Sequence, residues 1–226
     1  MALLDAYATK DEYRAAVGSK ATGTDTTLDA QLTAMTRQTE RSLQVAPGGF
    51  NSHAGTYTFD AHGGQVLWLR DSADLGYFLQ SITADSCGID IEEDGTFDYY
   101  TLDLGDAWLR GLPEHAATFS EPYIALQLLA HRTNAEPTEW PDQPASVRIA
   151  GTWGWAAVPR VIKELVIHRT HELREALKGG ALEAMTNFEG TTAFPAGGAG
   201  VPMGQRTFWL WKEVERLYGR RVRRIA

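Results

Sequence analysis

Residues 147–166, VRIAGTWGWAAVPRVIKELV, carry the strongest structural signal in the chain. A short strand pattern covers Val147–Ile149 and ends at Gly151. Pro159 then suits the first turn of a helix, where a missing backbone N–H is tolerated. The stretch therefore predicts a β-strand that leads into a helix over residues 159–178. Apolar residues of that helix recur at helical spacing, at Ile162, Leu165, Val166, Leu173 and Leu177.

The glycines, tryptophans and proline of this motif have structural explanations. Gly151 and Gly154 allow a tight exit from the strand because they carry no Cβ atom that would clash. Trp153 and Trp155 are large enough to seal the junction between sheet and helix. Pro159 sets the backbone of the first helical turn. We therefore interpret the motif as fold-forming and not as a catalytic site.

Two helices are predicted near the N-terminus, and a β-rich region is predicted between these helices and the motif. Thr9 and Glu12 have the spacing of a capping box, which predicts the start of a first helix. A second apolar stripe at helical spacing comprises Leu28, Leu32, Met35 and Leu43. From about residue 55, short apolar runs separated by glycine and aspartate indicate strands. The pattern predicts N-terminal helices in residues 1–50 and a β-rich insert in residues 51–150.

The remaining segments complete the predicted organisation. Residues 151–180 supply a long helix that completes the helical core. Residues 181–226 begin with a stretch that has few large apolar side chains, which indicates an extended C-terminal arm with a terminal amphipathic segment. We therefore predict an α+β fold: mainly a helical bundle with a β-rich insert and an extended C-terminal arm.

The terminal amphipathic segment needs a surface to cover. Leu210, Val214, Leu217 and Tyr218 form an apolar face, and Phe208, Trp209 and Trp211 stand at its start. A short helix of this kind is only marginally stable by itself. Two interpretations stay open: the segment folds back on its own domain, or it docks on a neighbouring subunit. Its enrichment in aromatic residues and arginine is typical of interface anchors.

Composition limits the possible functions. The 226 residues carry a net charge of −8, so the chain as a whole is not a phosphate-backbone binder. A single cysteine, Cys87, excludes an internal disulfide and a cysteine metal cage. No run approaches the ~20 apolar residues of a membrane span, and the N-terminus lacks a signal-peptide pattern, so we expect a protein made in the cytoplasm. Acidic residues crowd the middle of the chain and arginines crowd its end, which indicates separate contact surfaces.

Two alternative functions would require the chain to bind a ligand. His168, His171 and Glu172 are close in sequence on one predicted helix and raise the possibility of a small metal-dependent hydrolase, although the spacing does not match a known zinc motif. Trp153 and Trp155 lie two residues apart on a strand, which favours a carbohydrate- or receptor-binding platform if they face outward. No dinucleotide-binding, P-loop or serine-hydrolase motif is present, so we predict no catalytic residues, no metal and no cofactor.

The motif resembles the head-to-tail connector (adaptor) proteins of tailed bacteriophages, particularly those of phages that infect actinobacteria. In that family a strand reading roughly V-x-V-x-G-x-W-G-W leads into x-x-V-P-x-x-V-K and a long helix. Glu121-Pro122-Tyr123 also resembles a strand start of the family. The segment from Glu164 onward and the length of the β-rich insert depart from the family pattern. The matching residues are Gly151, Trp153, Gly154, Trp155, Val158, Pro159 and Lys163.

The resemblance implies a structural virion protein of the phage neck, assembled in the host cytoplasm. Such proteins form a homo-oligomeric ring, typically of twelve subunits, between the portal protein and a stopper or tail-completion protein, and double-stranded DNA passes through the channel. Acidic residues of the β-rich insert would line that channel, namely Glu92, Glu93 and Asp94. Portal binding would fall to the terminal segment, namely Phe208, Trp209, Trp211, Val214, Leu217, Arg220, Arg221, Arg223 and Arg224.

Overall fold

The chain divides into two compact units in the computed structural model. One unit is Gly48–Ala157, and the other combines Met1–Pro47 with Val158–Ala226. We call them the β unit and the helical unit. The residues that the structure describes are 6–18, 25–71, 73–90, 92, 94–100, 109–112, 122–128, 139–178 and 204–219.

The β unit contains two antiparallel sheets. Its strands are β1 (His53–His62), β2 (Val66–Trp68), β3 (Leu79–Ile89), β4 (Asp98–Tyr100), β5 (Leu109–Leu112), β6 (Ala125–Leu128) and β7 (Asp142–Trp153). The first sheet has the strand order β1-β7-β3-β4, and the second has the order β2-β6-β5. The motif strand β7 therefore lies inside the first sheet, paired on one side with β1 and on the other with β3.

Side chains from both sheets build one hydrophobic core in the β unit. Val147 and Ile149 of β7 are fully buried there, as are Leu79 and Ile89 of β3. The second sheet contributes buried side chains from β6 to the same core, including Leu126. Because alternate residues of a strand point to opposite faces, the Val-Arg-Ile sequence places both aliphatic side chains on the core side.

The helical unit contains α1 (Lys10–Val17), α2 (Asp25–Leu43), α3 (Arg160–Lys178) and α4 (Gln205–Val214), followed by a π-helical turn at Glu215–Gly219. The predicted capping box is confirmed at α1. The Thr9 hydroxyl accepts a hydrogen bond from the Glu12 backbone N–H at 3.2 Å, and the Glu12 carboxylate accepts one from the Thr9 backbone N–H at 2.9 Å. Buried Leu28, Leu32 and Met35 place the predicted stripe of α2 in the core of the unit.

Helix α3 is the central element of the helical unit, in contact with α1, α2 and α4. Its range, Arg160–Lys178, lies within the predicted helix. Ile162, Leu165 and Val166 are fully buried, and the charged residues between them keep the helix amphipathic. Within the described parts of the chain, no helix is both long enough and apolar enough to span a membrane.

The predicted fold class, mainly a helical bundle with a β-rich insert and an extended C-terminal arm, is wrong. The described residues form an α+β structure with four helices and two antiparallel sheets. The β-rich region is a compact unit with its own core, because its aromatic and aliphatic residues bury one another. The described end of the predicted arm is helical and packs against α3. Residues 181–203 and 220–226 of the predicted arm lie outside the described parts.

Candidate docking face on the C-terminal helix

The two motif glycines occupy places where a side chain does not fit. Gly151 of β7 lies so close to β3 that a Cβ atom would collide with the Ser81 carbonyl group. Gly154 has a φ of +87°, in the left-handed region that favours glycine. A Cβ atom there would lie 2.6 Å from the carbonyl carbon of Asn51. Both glycines therefore let backbone segments of the β unit approach closely.

The motif tryptophan Trp153 belongs to the core of the β unit. It is buried, and its indole N–H donates a hydrogen bond to the Gly55 carbonyl oxygen at 3.0 Å. Its ring packs against Tyr57 and Phe59 at centroid distances of 5.1 and 5.6 Å. Trp155 is half-buried, and its ring lies 6.0 Å from that of Phe78. The buried Trp153 cannot serve as a carbohydrate platform, so the paired-tryptophan platform is not formed.

Pro159 precedes the first residue of α3, as its fixed φ angle predicts. Its carbonyl oxygen accepts hydrogen bonds from the backbone N–H groups of Ile162 at 3.0 Å and Lys163 at 3.1 Å. The motif lysine Lys163 also pairs with Glu12 of α1 at 2.6 Å. Both motif residues therefore serve the helical unit, one at the start of α3 and one in its packing against α1.

One side of α4 is held within the helical unit. Thr207 and Val214 are buried, and so is Tyr218 in the π-helical turn that follows. Leu210 and Trp211 are half-buried. These positions recur at three- and four-residue spacing, so they share one face of the helix. The terminal amphipathic segment therefore folds back on its own unit in this structure.

The N-terminal end of α4 is attached to α3 by a side chain of α3. Gly204, the residue before the helix, has no side chain to cap it. The Glu172 carboxylate accepts a hydrogen bond from the Gly204 backbone N–H at 2.7 Å. Its second oxygen accepts one from Arg169 at 3.2 Å. Glu172 thus caps α4 from α3, a role that the sequence analysis missed because only tertiary structure brings the two residues together.

The opposite side of α4 presents a pair of aromatic rings to solvent. Phe208 is 42% exposed and Trp209 is 64% exposed, and their rings meet edge to face at a centroid distance of 5.7 Å. The same segment carries three exposed basic residues: Arg206, Lys212 and Arg216. The Lys212 ammonium lies 5.8 Å from the centroid of the Phe208 ring. We call Phe208, Trp209 and Lys212 the docking face.

The docking face is unusual for this molecule. In the parts of the chain that the structure describes, Trp68 is the one other large hydrophobic side chain with comparable exposure, at 37%. Trp68 lies in the β unit, whereas Phe208 and Trp209 are adjacent. Two neighbouring exposed aromatic rings are typical of an interface hot spot.

The predicted portal-binding set divides between the two sides of α4. Phe208 and Trp209 are on the docking face, whereas Val214 is fully buried in the chain's own unit. Trp211 and Leu217 are half-buried. The arginines of the set lie outside the described residues, namely Arg220, Arg221, Arg223 and Arg224. Portal binding by any of these residues stays a prediction.

The histidines considered for metal binding face different partners. His171 lies with its Nδ1 atom 3.4 Å from the Tyr13 hydroxyl of α1. Burial, followed by the positive charge of Arg206, lowers the pKa of His168. Glu172 is already engaged by Gly204 and Arg169. Across the described ranges, no group of three histidine, cysteine or acidic side chains is arranged to hold a metal ion.

The predicted acidic tip lies between β3 and β4, which form an antiparallel hairpin. Glu92 and Asp94 are exposed there, while Glu93 lies outside the described residues. The Asp94 carboxylate accepts a hydrogen bond from the Thr96 backbone N–H at 2.7 Å, which helps to shape the turn. The interpretation as a charged hairpin tip therefore agrees with the structure, and its position in a DNA channel stays a prediction.

No protein-family model, no curated protein and no solved structure matches this chain. The resemblance to phage connectors therefore depends on the motif residues quoted above.

Proposed function

We propose that this protein is a structural subunit of the virion neck of a tailed phage, a ring-forming head-to-tail adaptor that docks on the portal protein. It links the portal to a stopper or tail-completion protein, and the ring surrounds the DNA channel. The observation that supports this proposal best is the docking face. It places Phe208 and Trp209 in solvent on a helix whose other side is already packed against its own unit.

The docking face suits a permanent partner because leaving two aromatic rings in water is unfavourable. Complete burial of a large apolar side chain stabilises a complex by roughly 1.5–3 kcal/mol before the entropy of association is subtracted. Phe208 and Trp209 are already partly covered, so the gain for the pair is about 2–3 kcal/mol per subunit. A ring of subunits multiplies this modest gain through avidity, which fits an assembly protein better than a monomeric binder.

The motif supports the proposal through its match to the family pattern. Gly151, Gly154 and Trp153 are required by the β unit, and Pro159 and Lys163 serve α3. The motif covers the end of β7 and the start of α3. Its match to the family pattern therefore concerns the architecture of the chain. Its residues hold the fold, which is consistent with a structural protein.

The test removes the aromatic pair of the docking face and leaves the fold intact. We expect the double variant Phe208→Ala/Trp209→Ala to fold normally, because neither ring is buried in the unit. Its incorporation into portal-containing particles should fall by about tenfold or more, since 1.4 kcal/mol corresponds to a factor of ten. Incorporation is measured by quantitative mass spectrometry of particles from cells that supply only the variant subunit.

The matched control is Trp68→Ala, which removes an exposed tryptophan from the β unit. Circular dichroism must show native secondary structure for both variants, and the control must incorporate like the natural protein. Normal incorporation of the double variant would sink the docking-face proposal. Deleting residues 205–226 is a poorer test, because it also removes Val214 and Tyr218 from the helical unit.

A further inference from the structure

Strand β1 lies at an edge of the first sheet. Among the described strands it has one ladder partner in that sheet, β7. In an antiparallel pair, alternate residues of an edge strand direct their N–H and C=O groups away from the partner. The Gly55 carbonyl oxygen accepts the Trp153 indole N–H, and a carbonyl oxygen can accept a second hydrogen bond. The edge therefore offers a row of backbone donors and acceptors to another strand.

The exposure of β1 shows how far this edge is open. Residues 53–58 pair with residues 148–153 of β7. At each of these positions the β1 residue is more exposed than its partner. On the side that faces the core, half-buried residues of β1 lie opposite buried residues of β7. On the other side, exposed residues lie opposite half-buried ones. The edge is therefore open to solvent over residues 53–58.

The open stretch lacks the features that usually protect an edge strand. Proteins commonly guard such edges with lysine, proline, inward-pointing charges or a β-bulge. The sequence from His53 to Phe59, HAGTYTF, contains no proline, lysine, arginine or acidic residue. Its register with β7 is regular and shifts only between Phe59 and Ala61. Residues 53–59 therefore form a regular edge without formal charge, which suits pairing with another strand.

The same stretch is complementary to itself in the antiparallel direction. When two copies pair with Thr56 on the symmetry axis, the two threonines face each other. Ala54 then faces Thr58 of the other copy on the exposed side of the sheet. Gly55 faces Tyr57 of the other copy on the core side. Threonine pairs across neighbouring strands are favourable, and no like charges meet in this register.

We infer that β1 is a self-association surface, through which two copies of this chain pair antiparallel about Thr56. The partner is a second copy because it brings an identical open edge, and the pairing supplies about six to eight backbone hydrogen bonds to the two edges at once. Such a two-fold contact is the commonest symmetry among protein oligomers. It joins two subunits and does not close a ring, so the inference concerns the free protein and does not depend on the proposed connector function.

The experiment measures self-association of the full-length protein by sedimentation velocity between about 10 µM and about 1 mM. Thr56→Lys places like charges directly opposite each other across the two-fold axis. Thr58→Lys is the matched control, because it adds the same charge to the same exposed side of β1 but lies opposite Ala54. A third variant, Thr56→Glu, is mixed in equal amounts with Thr56→Lys, so that opposite charges meet on the axis. Circular dichroism checks that all variants keep native secondary structure.

We expect the natural protein to be mainly monomeric at about 10 µM and largely dimeric at about 1 mM, as for a weak, small interface. Thr56→Lys should raise the dissociation constant about fivefold or more, and Thr58→Lys less than about twofold. The mixture of Thr56→Lys and Thr56→Glu should recover dimers. A natural protein that stays monomeric at about 1 mM would overturn the inference. So would equal weakening by the two lysine variants, or dimers that persist unchanged in Thr56→Lys, because either result would put the contact elsewhere.

Discussion

Replacing Gly154 with alanine tests the physical explanation of the motif directly. Gly154 combines a positive φ of +87° with a close backbone approach to Asn51. Gly64 offers a matched control, because its φ is +71° and nothing lies within 4 Å of the position that a Cβ atom would take. Both substitutions therefore introduce the strain of a positive φ angle. Only Gly154→Ala also brings a Cβ atom into collision with the backbone.

The expected magnitudes follow from those two terms. A left-handed conformation costs a residue with a Cβ atom roughly 1–2 kcal/mol relative to glycine. Gly64→Ala should lose about that much stability. Gly154→Ala adds a Cβ atom 2.6 Å from the Asn51 carbonyl carbon, below the 3.0 Å that real Cβ contacts respect. Because the neighbour is backbone, relief requires a shift of the chain, which costs about 1–3 kcal/mol more.

Urea unfolding followed by β-sheet circular dichroism gives the free energy of unfolding of both variants. Hydrogen exchange of the β1 and β7 amides locates the effect in the β unit. We expect Gly154→Ala to be less stable than Gly64→Ala by about 1–3 kcal/mol. If the two variants were equally stable within about 0.5 kcal/mol, the close approach at Gly154 would not be the reason for the motif glycine.

Two further predictions concern titratable groups. Burial, followed by the positive charge of Arg206, lowers the pKa of His168. Protonation of His168 therefore opposes the docking of α4. Docking is strongest above the ordinary histidine pKa and weakens as the pH falls through about 6.5 towards the lowered pKa. Hydrogen exchange of the α4 amides at about pH 7.5 and 5.5, corrected for intrinsic rates, should show this loss, and His168→Gln should abolish the difference. Burial raises the pKa of the Cys87 thiol to about 12. Iodoacetamide at about pH 8 should therefore label Cys87 only when the protein is unfolded in urea. Labelling of the native protein, detected by mass spectrometry, would contradict the buried position.

Local pattern predicted several elements of the fold because their causes are local. The capping box of Thr9 and Glu12 forms as expected, since both partners are three residues apart. Helix α3 follows Pro159, whose fixed φ angle and missing N–H act on the next turn alone. The strand at Val147–Ile149 also forms, although β7 is longer and begins at Asp142. Its earlier residues do not have a strand pattern. Asp142 and Gln143 pair with β1, and the pairing register shifts between them and Val147.

The candidate site was predicted only in part. The aromatic residues of the terminal segment are visible in the sequence, but their division between two sides of α4 is not. Val214 and Trp209 both looked like interface anchors, yet the first is fully buried in its own unit and the second is mostly exposed. Which apolar side chain finds a surface depends on where α3 lies, and no local pattern reports that position.

The sequence by itself determined the strand at Val147–Ile149, the start of α1, the helix after Pro159 and the amphipathic character of the terminal segment. These follow from backbone geometry and side-chain spacing within a few residues. Only the tertiary structure decided that the β-rich region is a unit with its own core, that Gly154 faces the Asn51 carbonyl group and that Glu172 caps α4. Each of these joins residues distant in the chain, and burial and backbone contacts between distant segments exist only once the chain has folded.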